Sequence, residues 1–329
     1  MGNPLKAVAR RSKTAIILFK IVDNWRLKRR TQSGSIETIH GSTHSHIPVA
    51  DSLTYIDRQF SDYLAYAGLS ESNVVHKKIL ELGPGDNLGV ALKFVAAGAD
   101  SVTCLDRFYS KRDTKHEKEI YEALRERLNN EQQQQRFDEA ISLANECQFT
   151  PGRVTSIYGD TIEQYAERSE SKFDLIISCA VLEEIYDLDP TFAAMDSLLA
   201  PGGMLIHKID LSDYGMFRKQ GMHPLTFLTI PESIYRRMAS DSGLPNRKRL
   251  SYYINKMAEL GYDARVFATS VIPEGRFEPA VNVEGESLVT DAGRALLPGV
   301  RGKLDAAFKA LDETELLIDG ILLVAKKHI

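Results

Sequence analysis

The run Glu81-Leu-Gly83-Pro-Gly85-Asp-Asn-Leu-Gly89 is the first stretch whose residue types and spacing could do chemistry. Gly83 and Gly85 remove side chains where a main chain must pass close to a ligand, and a helix starting after them would present amides without intrahelical partners. Such a turn can cradle a phosphate, a ribose or a carboxylate. A dinucleotide loop repeats as Gly-x-Gly-x-x-Gly, and here the third glycine would fall at Leu88, which weakens a nicotinamide reading. Acids stand before the turn at Glu81 and at the end of the next apolar stretch at Asp106.

A second group collects further along. Glu183 and Glu184, then His207, Asp210, Asp213 and Tyr214, supply carboxylates, an imidazole and a phenol that could act as acid or base on an acceptor hydroxyl. Strand alternation places Lys208 and Asp210 on one face and His207 and Ile209 on the other, with Asp210 nearer the strand end and the better base. Glu183 and Glu184 could equally be the acidic start of a helix, and His207 a core histidine. Asn246 and Arg247, followed by Lys248 and Arg249, would suit a phosphate or carboxylate, or would pin a loop between two helices. His40, His44 and His46 have no cysteine or spaced acid to complete a metal site, so no metal is expected. Tyr55 could cover the glycine turn, although packing explains it equally well.

These residues need elements to hold them. Lys78-Ile-Leu-Glu-Leu82 reads as a short buried strand, residues 83–85 as a tight turn and residues 88–97 as an apolar helix. Further strands are expected at 101–105, 153–158, 173–178 and 203–207, with helical patterns between them. That alternation predicts an α/β, doubly wound parallel sheet. Asp51 can cap a helix whose apolar spacing runs Leu53, Ile56, Phe60 and Leu64. Residues 110–149 read as a solvated helical pair outside the sheet. Residues 211–260 read as two helices roofing the carboxyl edge of the strands, where ligands of open α/β sheets bind. Closing strands are expected at 262–272 and 321–326 with an irregular stretch between them. Residues 1–50 form an arm and polar linker, and 51–329 a single domain carrying the two insertions.

Composition narrows the class. The 329 residues are 43% hydrophobic and 26% charged with a net charge of −4, which excludes collagen, coiled coil, extended disorder and a disulfide scaffold. Three cysteines, Cys104, Cys147 and Cys179, fit free thiols in a cytoplasmic protein. Residues 1–30 carry nine Lys/Arg against Asp23, a sum of +8, leaving −12 on the remaining 299. Helical spacing aligns Ala15, Leu18, Phe19, Val22 and Trp25 on one face of this basic arm. The apolar stretch from Ala15 to Val22 is interrupted by Lys20 and too short to cross a bilayer, so the arm is expected either to pack on the body or to touch an anionic membrane face peripherally.

Taken together the motifs resemble a class I S-adenosylmethionine-dependent methyltransferase over roughly residues 77–211. The glycine motif is ILELGPGDNLG, the ribose acid ends SVTCLD, and Gly159-Asp160 ends the third strand. FDLIISCAVLEEI resembles the fourth-strand motif and LLAPGGMLIHKIDL the turn into the fifth strand. The resemblance implies S-adenosyl-L-methionine as cofactor, held by Glu81, Gly83, Gly85, Asp106, Asp160 and Cys179. More narrowly, ELGPGDNLG, HKIDLSDY and Leu244-Pro-Asn-Arg-Lys-Arg249 resemble a bacterial group associated with sugar and polysaccharide gene clusters. Glu184 and Tyr214 stand where that group commonly has a histidine, so the resemblance supplies no histidine base at either position.

The expected activity is methyl transfer to a small-molecule or lipid-linked saccharide acceptor, more readily on oxygen. Asp210, Glu184 and His207 are the catalytic candidates, and Asn246, Arg247 and Tyr214 the acceptor contacts. The competing class is a catalytically silent, cofactor-binding scaffold or regulator, against which the intact glycine loop and Asp106 argue. A nucleic-acid acceptor is disfavoured by the acidic body and by Ser178-Cys-Ala-Val181, where an Asn-Pro-Pro-Tyr type tetrapeptide would otherwise follow the fourth strand.

Overall fold

A computed structural model describes residues 12–38, 43–144, 147–285 and 288–328. Five parallel strands, Lys78–Leu82 (β1), Ser101–Asp106 (β2), Val154–Tyr158 (β3), Phe173–Cys179 (β4) and Leu199–Asp210 (β5), lie in the order β3-β2-β1-β4-β5. Ile79, Leu80, Ile176, Ile177, Leu205 and Ile206 are fully buried, because helices cover both faces and leave no room for polar alternation. From β1 the chain winds outward to β3, and from β4 it winds the other way to β5. The loops after β1 and β4 therefore diverge and open a crevice at the carboxyl ends of the strands.

Three antiparallel strands extend the sheet beyond β5: Asp263–Val271 (β6), Gly275–Asn282 (β7) and Ile318–Lys326 (β8), in the order β5-β8-β6-β7. The stretch expected to be irregular between the closing strands thus contains β7. Its charged and proline-containing sequence suits an edge strand and masks it from periodicity.

The longer helices among the described residues are Lys13–Gln32 (α1), Val49–Ala67 (α2), Gly89–Ala97 (α3), Thr114–Glu126 (α4), Glu131–Ala140 (α5), Ile162–Arg168 (α6), Leu188–Leu198 (α7), Glu232–Ala239 (α8) and Leu250–Glu259 (α9). Leu53, Ile56, Phe60 and Leu64 are buried as their spacing required, but α2 starts after Pro48 and Asp51 sits within its first turn. The insertion of α4 and α5 is less solvated than its charge suggested. Tyr121 and Phe137 are fully buried in the core shared with α2 and α3. On the opposite face α6, α7 and α9 pack against the sheet through Ile162, Phe192, Met195, Tyr253 and Met257. Only the first helix of the 211–260 region, α8, therefore belongs to a roof. It joins a third cluster with Phe217, Phe227, Leu297 and Leu316.

Helix α1 docks on that third cluster through Ile16, Ile17 and Ile21. Lys13 Nζ donates to Thr229 Oγ1 at 2.5 Å and Asn24 Nδ2 to Ser240 Oγ at 3.1 Å. The face that carries Leu18, Phe19, Val22 and Trp25 points the other way and stays exposed. Among the described residues no helix is long and apolar enough to cross a membrane.

Candidate functional site

The glycine turn sits at the mouth of the crevice. Gly83 and Gly85 adopt φ of +61° and +72°, a region that side chains strain to enter. A Cβ at Gly83 would lie 2.5 Å from Val181 Cγ2, and the Gly83 amide donates to Leu105 O at 2.9 Å. The turn is thus clamped between the end of β2 and the loop after β4. Two amides where α3 begins, those of Leu88 and Gly89, are already bonded, where the sequence expectation had the helix start unpaired. Leu88 N donates to Tyr121 Oη at 2.8 Å and Gly89 N to Asn87 Oδ1 at 2.7 Å.

Above it lies a cleft of about 1070 Å³. Gly83, Gly85, Asp106, Asp160 and Cys179 line it near the turn, and Glu184 and Tyr214 line it as well. A space of this size exceeds a single drug-sized site. Asp106 accepts from Phe108 N at 2.8 Å. Burial raises its carboxyl to about 6 although two main-chain donors, Phe108 and Gly85, oppose the rise. Further donors from ligand hydroxyls would hold it ionised. Asp160 is ion-paired with Arg168. The Cys179 thiol, pushed up to about 11 by burial, accepts from Tyr55 Oη at 3.7 Å and stays protonated.

Glu81 stands elsewhere. It lies below the turn beside a separate cavity of about 40 Å³ that Gln59 and Asn87 also line. Burial lifts its carboxyl to about 7, and the Cys104 thiol donates to it at 3.6 Å. Sequence reasoning missed Asp86, which accepts from Ser45 N at 2.8 Å, Ser45 Oγ at 2.6 Å and His44 N at 3.1 Å. This stitches the segment before α2 over the glycine turn, where His44 packs edge-on against Tyr55 at 5.2 Å. An acid directly after the second glycine was the available signal. His40 lies outside the described residues, and among those described no cluster of three His, Cys, Asp or Glu could hold a metal.

On the same cleft, burial raises the Glu184 carboxyl to about 7, with the charge of Asp106 adding to the rise. Gly243, with φ +67°, leaves room for it, since a Cβ there would lie 3.2 Å from Glu184 Oε2. Tyr214, itself at φ +54°, has a buried Oη that faces the Glu183 and Glu184 carboxyls without a short hydrogen bond to either. The charges of Glu183 and Glu184 add to burial in raising its phenol far above the ordinary value.

The remaining candidates serve the frame. His207 is fully buried, bonded through Nδ1 to Ser178 Oγ at 2.7 Å, and burial depresses it to about 3, so it is a neutral core histidine. Asp210 is outside the described lining of the cleft; its carboxylate accepts from Ser212 N at 2.8 Å and its own amide donates to Glu183 Oε1 at 3.0 Å. Asn246 donates through Nδ2 to Leu182 O and Ile185 O, both at 2.8 Å. Arg247 is 4% exposed, donates to Phe227 O at 3.2 Å and Ile230 O at 2.6 Å, pairs with Glu232 and stacks on Tyr235. Neither Asn246 nor Arg247 reaches the cleft; both hold the chain that surrounds it. Their polar heads meet main-chain carbonyls, a role that sequence alone could not separate from anion recognition.

Comparison with known proteins places this architecture. A family model described as a methyltransferase domain matches residues 52–260, more than half of the chain. No curated protein matches it. Solved structures of similar fold include phosphoethanolamine N-methyltransferase 2 of Haemonchus contortus with S-adenosyl-L-methionine, at 16% identity over 83% of this chain and 53% of that one, with a TM-score of 0.42. An S-adenosylmethionine-dependent methyltransferase from Mesorhizobium loti matches at 15% identity over 83% of this chain and all of that one, with a TM-score of 0.38. The chain spans about half the length of the Haemonchus protein. By its matched domain, which spans the Rossmann-like sheet, the chain belongs to the methyltransferase domain family.

Proposed function

We propose that the chain methylates a hydroxyl oxygen of a small-molecule or saccharide acceptor, with Glu184 as the base. The observation that carries this reading is the placement of one carboxyl, raised to about 7, in the same cleft as the glycine turn. S-adenosylmethionine supplies, when bound, an electrophilic methyl group on sulfur. The turn at Gly83 and Gly85 fits it by leaving bare main chain, and Asp106 would accept from its ribose hydroxyls. Asp160 is the residue proposed beside its adenine, and Cys179 part of the floor.

On the acceptor side, the ionised form of Glu184 takes the hydroxyl proton as the oxygen attacks, and a base near neutrality is suited to that task. Tyr214 Oη, beside the Glu184 carboxyl, would orient the acceptor by one hydrogen bond. Asp210 loses its place as preferred base because its oxygens serve the turn at Ser212.

The test is methyl transfer to a panel of free sugars, nucleotide-linked sugars, alkyl glycosides and matched amines, with the product located by NMR. O-methylation by the wild type and a loss on the order of 10²–10⁴ in kcat for Glu184→Gln are expected. Transfer confined to amines or carbon, or full activity of Glu184→Gln, would sink the proposal.

A further inference from the structure

Helix α1 shows two unlike sides. One side, with Ile16, Ile17 and Ile21, is docked on the body. The other presents Leu18 at 59%, Phe19 at 61%, Val22 at 46% and Trp25 at 51% exposure. Helical spacing brings Arg26 and Arg29 onto this outward side, and the Arg29 guanidinium lies 3.9 Å from the centre of the Trp25 ring. Lys20, Lys28 and Arg30 add positive charge along the helix, against the single acid Asp23. Contiguous exposed aliphatic and aromatic side chains on a folded chain mark a surface that something covers.

We infer that this face docks on an anionic lipid bilayer. The chemistry decides between occupants. A bilayer of acidic lipids presents phosphate charge for the guanidinium groups and, just beneath, hydrocarbon for Leu18, Phe19 and Val22, with an interfacial layer that suits Trp25. The helix sums to +5 and the rest of the chain to −9, so attraction to an anionic plane favours orientations with α1 foremost.

The placement has a functional consequence. Trp25 belongs both to the outward face and to the wall of the cleft, which Ile21, Asn24 and Lys28 also line. A bilayer that touches Trp25 lies beside the cleft mouth, where the head group of a lipid-borne acceptor can enter. That last step deepens the acceptor reading above and rests on it; the docking itself does not.

The experiment uses the full chain without acceptor, mixed with vesicles of phosphatidylcholine alone or with one third phosphatidylglycerol. Trp25 is the only tryptophan, so its emission reports directly on the face. A blue shift and co-sedimentation with the anionic vesicles, weakened by salt and nearly absent with neutral ones, are expected. Phe19→Ser with Val22→Ser, and separately Arg26→Gln with Arg29→Gln, should each lower the apparent affinity about tenfold or more while S-adenosylhomocysteine binding persists. Vesicles that leave both emission and sedimentation unchanged overturn the inference, as does full vesicle binding by either double variant. A dimer that the Phe19/Val22 variant dissociates, without vesicle binding by the wild type, assigns the face to a second copy instead. Because no acceptor is present, failure here is distinguishable from failure of the O-methylation reading, which a soluble glycoside tests alone.

Discussion

The main-chain amide of Asn246 donates to the carbonyl of Glu183 at 2.7 Å, and this bond ties the roof to the loop that carries Glu184. The Asn246 side chain doubles the tie through Leu182 O and Ile185 O, so one residue spans the turn on which the proposed base stands. Asn246→Ala removes three side-chain bonds, these two and the one Oδ1 accepts from Lys248 N, and is expected to lower stability by about 1–3 kcal/mol. Turnover should fall with the misplaced carboxylate while S-adenosylhomocysteine affinity, read by calorimetry, stays within error. An equal loss in both would show that the turn also shapes the cofactor end.

Asp106 should dominate cofactor affinity. Asp106→Ala is expected to weaken S-adenosylhomocysteine binding by about 1.5–3 kcal/mol, the range for charge-assisted hydrogen bonds. Since burial holds its carboxyl at about 6, wild-type affinity should also fall as the pH drops below that value and the acceptor oxygen is protonated. Calorimetry across that pH range checks both, and a flat pH dependence in the wild type would remove Asp106 from the ribose site.

For Glu184 the sign is the same on the rate. Its base form fills as pH rises through about 7, so kcat/KM should climb and level off above it. Gly243→Ala would set a methyl 3.2 Å from Glu184 Oε2 on a backbone at φ +67°, and should cut turnover without moving the cofactor constant. A rate that falls across this range would identify an acid, not a base.

Glu183 concerns stability. Its folded carboxyl is raised to about 8 by burial, well above an unfolded glutamate. The native state therefore keeps a proton that the unfolded chain has released, so the stability contribution is complete below the unfolded pKa and is lost as pH rises through about 8. Glu183→Gln, neutral throughout, should make the decline in denaturant midpoint between pH 5 and 8 shallower. An unchanged slope would mean that Glu183 ionises freely.

Arg247→Lys is expected to destabilise by about 1.5–3 kcal/mol, since an ammonium cannot reproduce the fork that serves Phe227 O, Ile230 O and Glu232. Chemical denaturation measures the loss. Cofactor affinity should not change.

Much of this protein was legible from local pattern. Glycine spacing with flanking apolar runs marked β1, its turn and α3, because a buried strand needs continuous hydrophobic residues and a close main-chain approach needs glycine. Asp106 followed as the acid ending the next strand. Strand β7 and the buried side of α4 were not legible, since edge strands and second-layer helices carry mixed polarity whose outcome depends on what packs against them.

The sequence by itself determined the residue types available at each loop end and the doubly wound order of the elements, both products of local periodicity. Only the tertiary structure decided which candidates share the cleft. Glu184 and Tyr214 enter it, whereas Glu81, His207, Asp210, Asn246 and Arg247 are directed elsewhere, toward a second cavity, Ser178, Ser212 and main-chain carbonyls. The same held for α1, whose apolar face was readable but whose docking through the opposite side was not. The physical reason is common to all of them. A polar or charged side chain satisfies its hydrogen bonds with whatever the fold brings near, and except for Ser212, a near neighbour of Asp210, those partners are well separated along the chain.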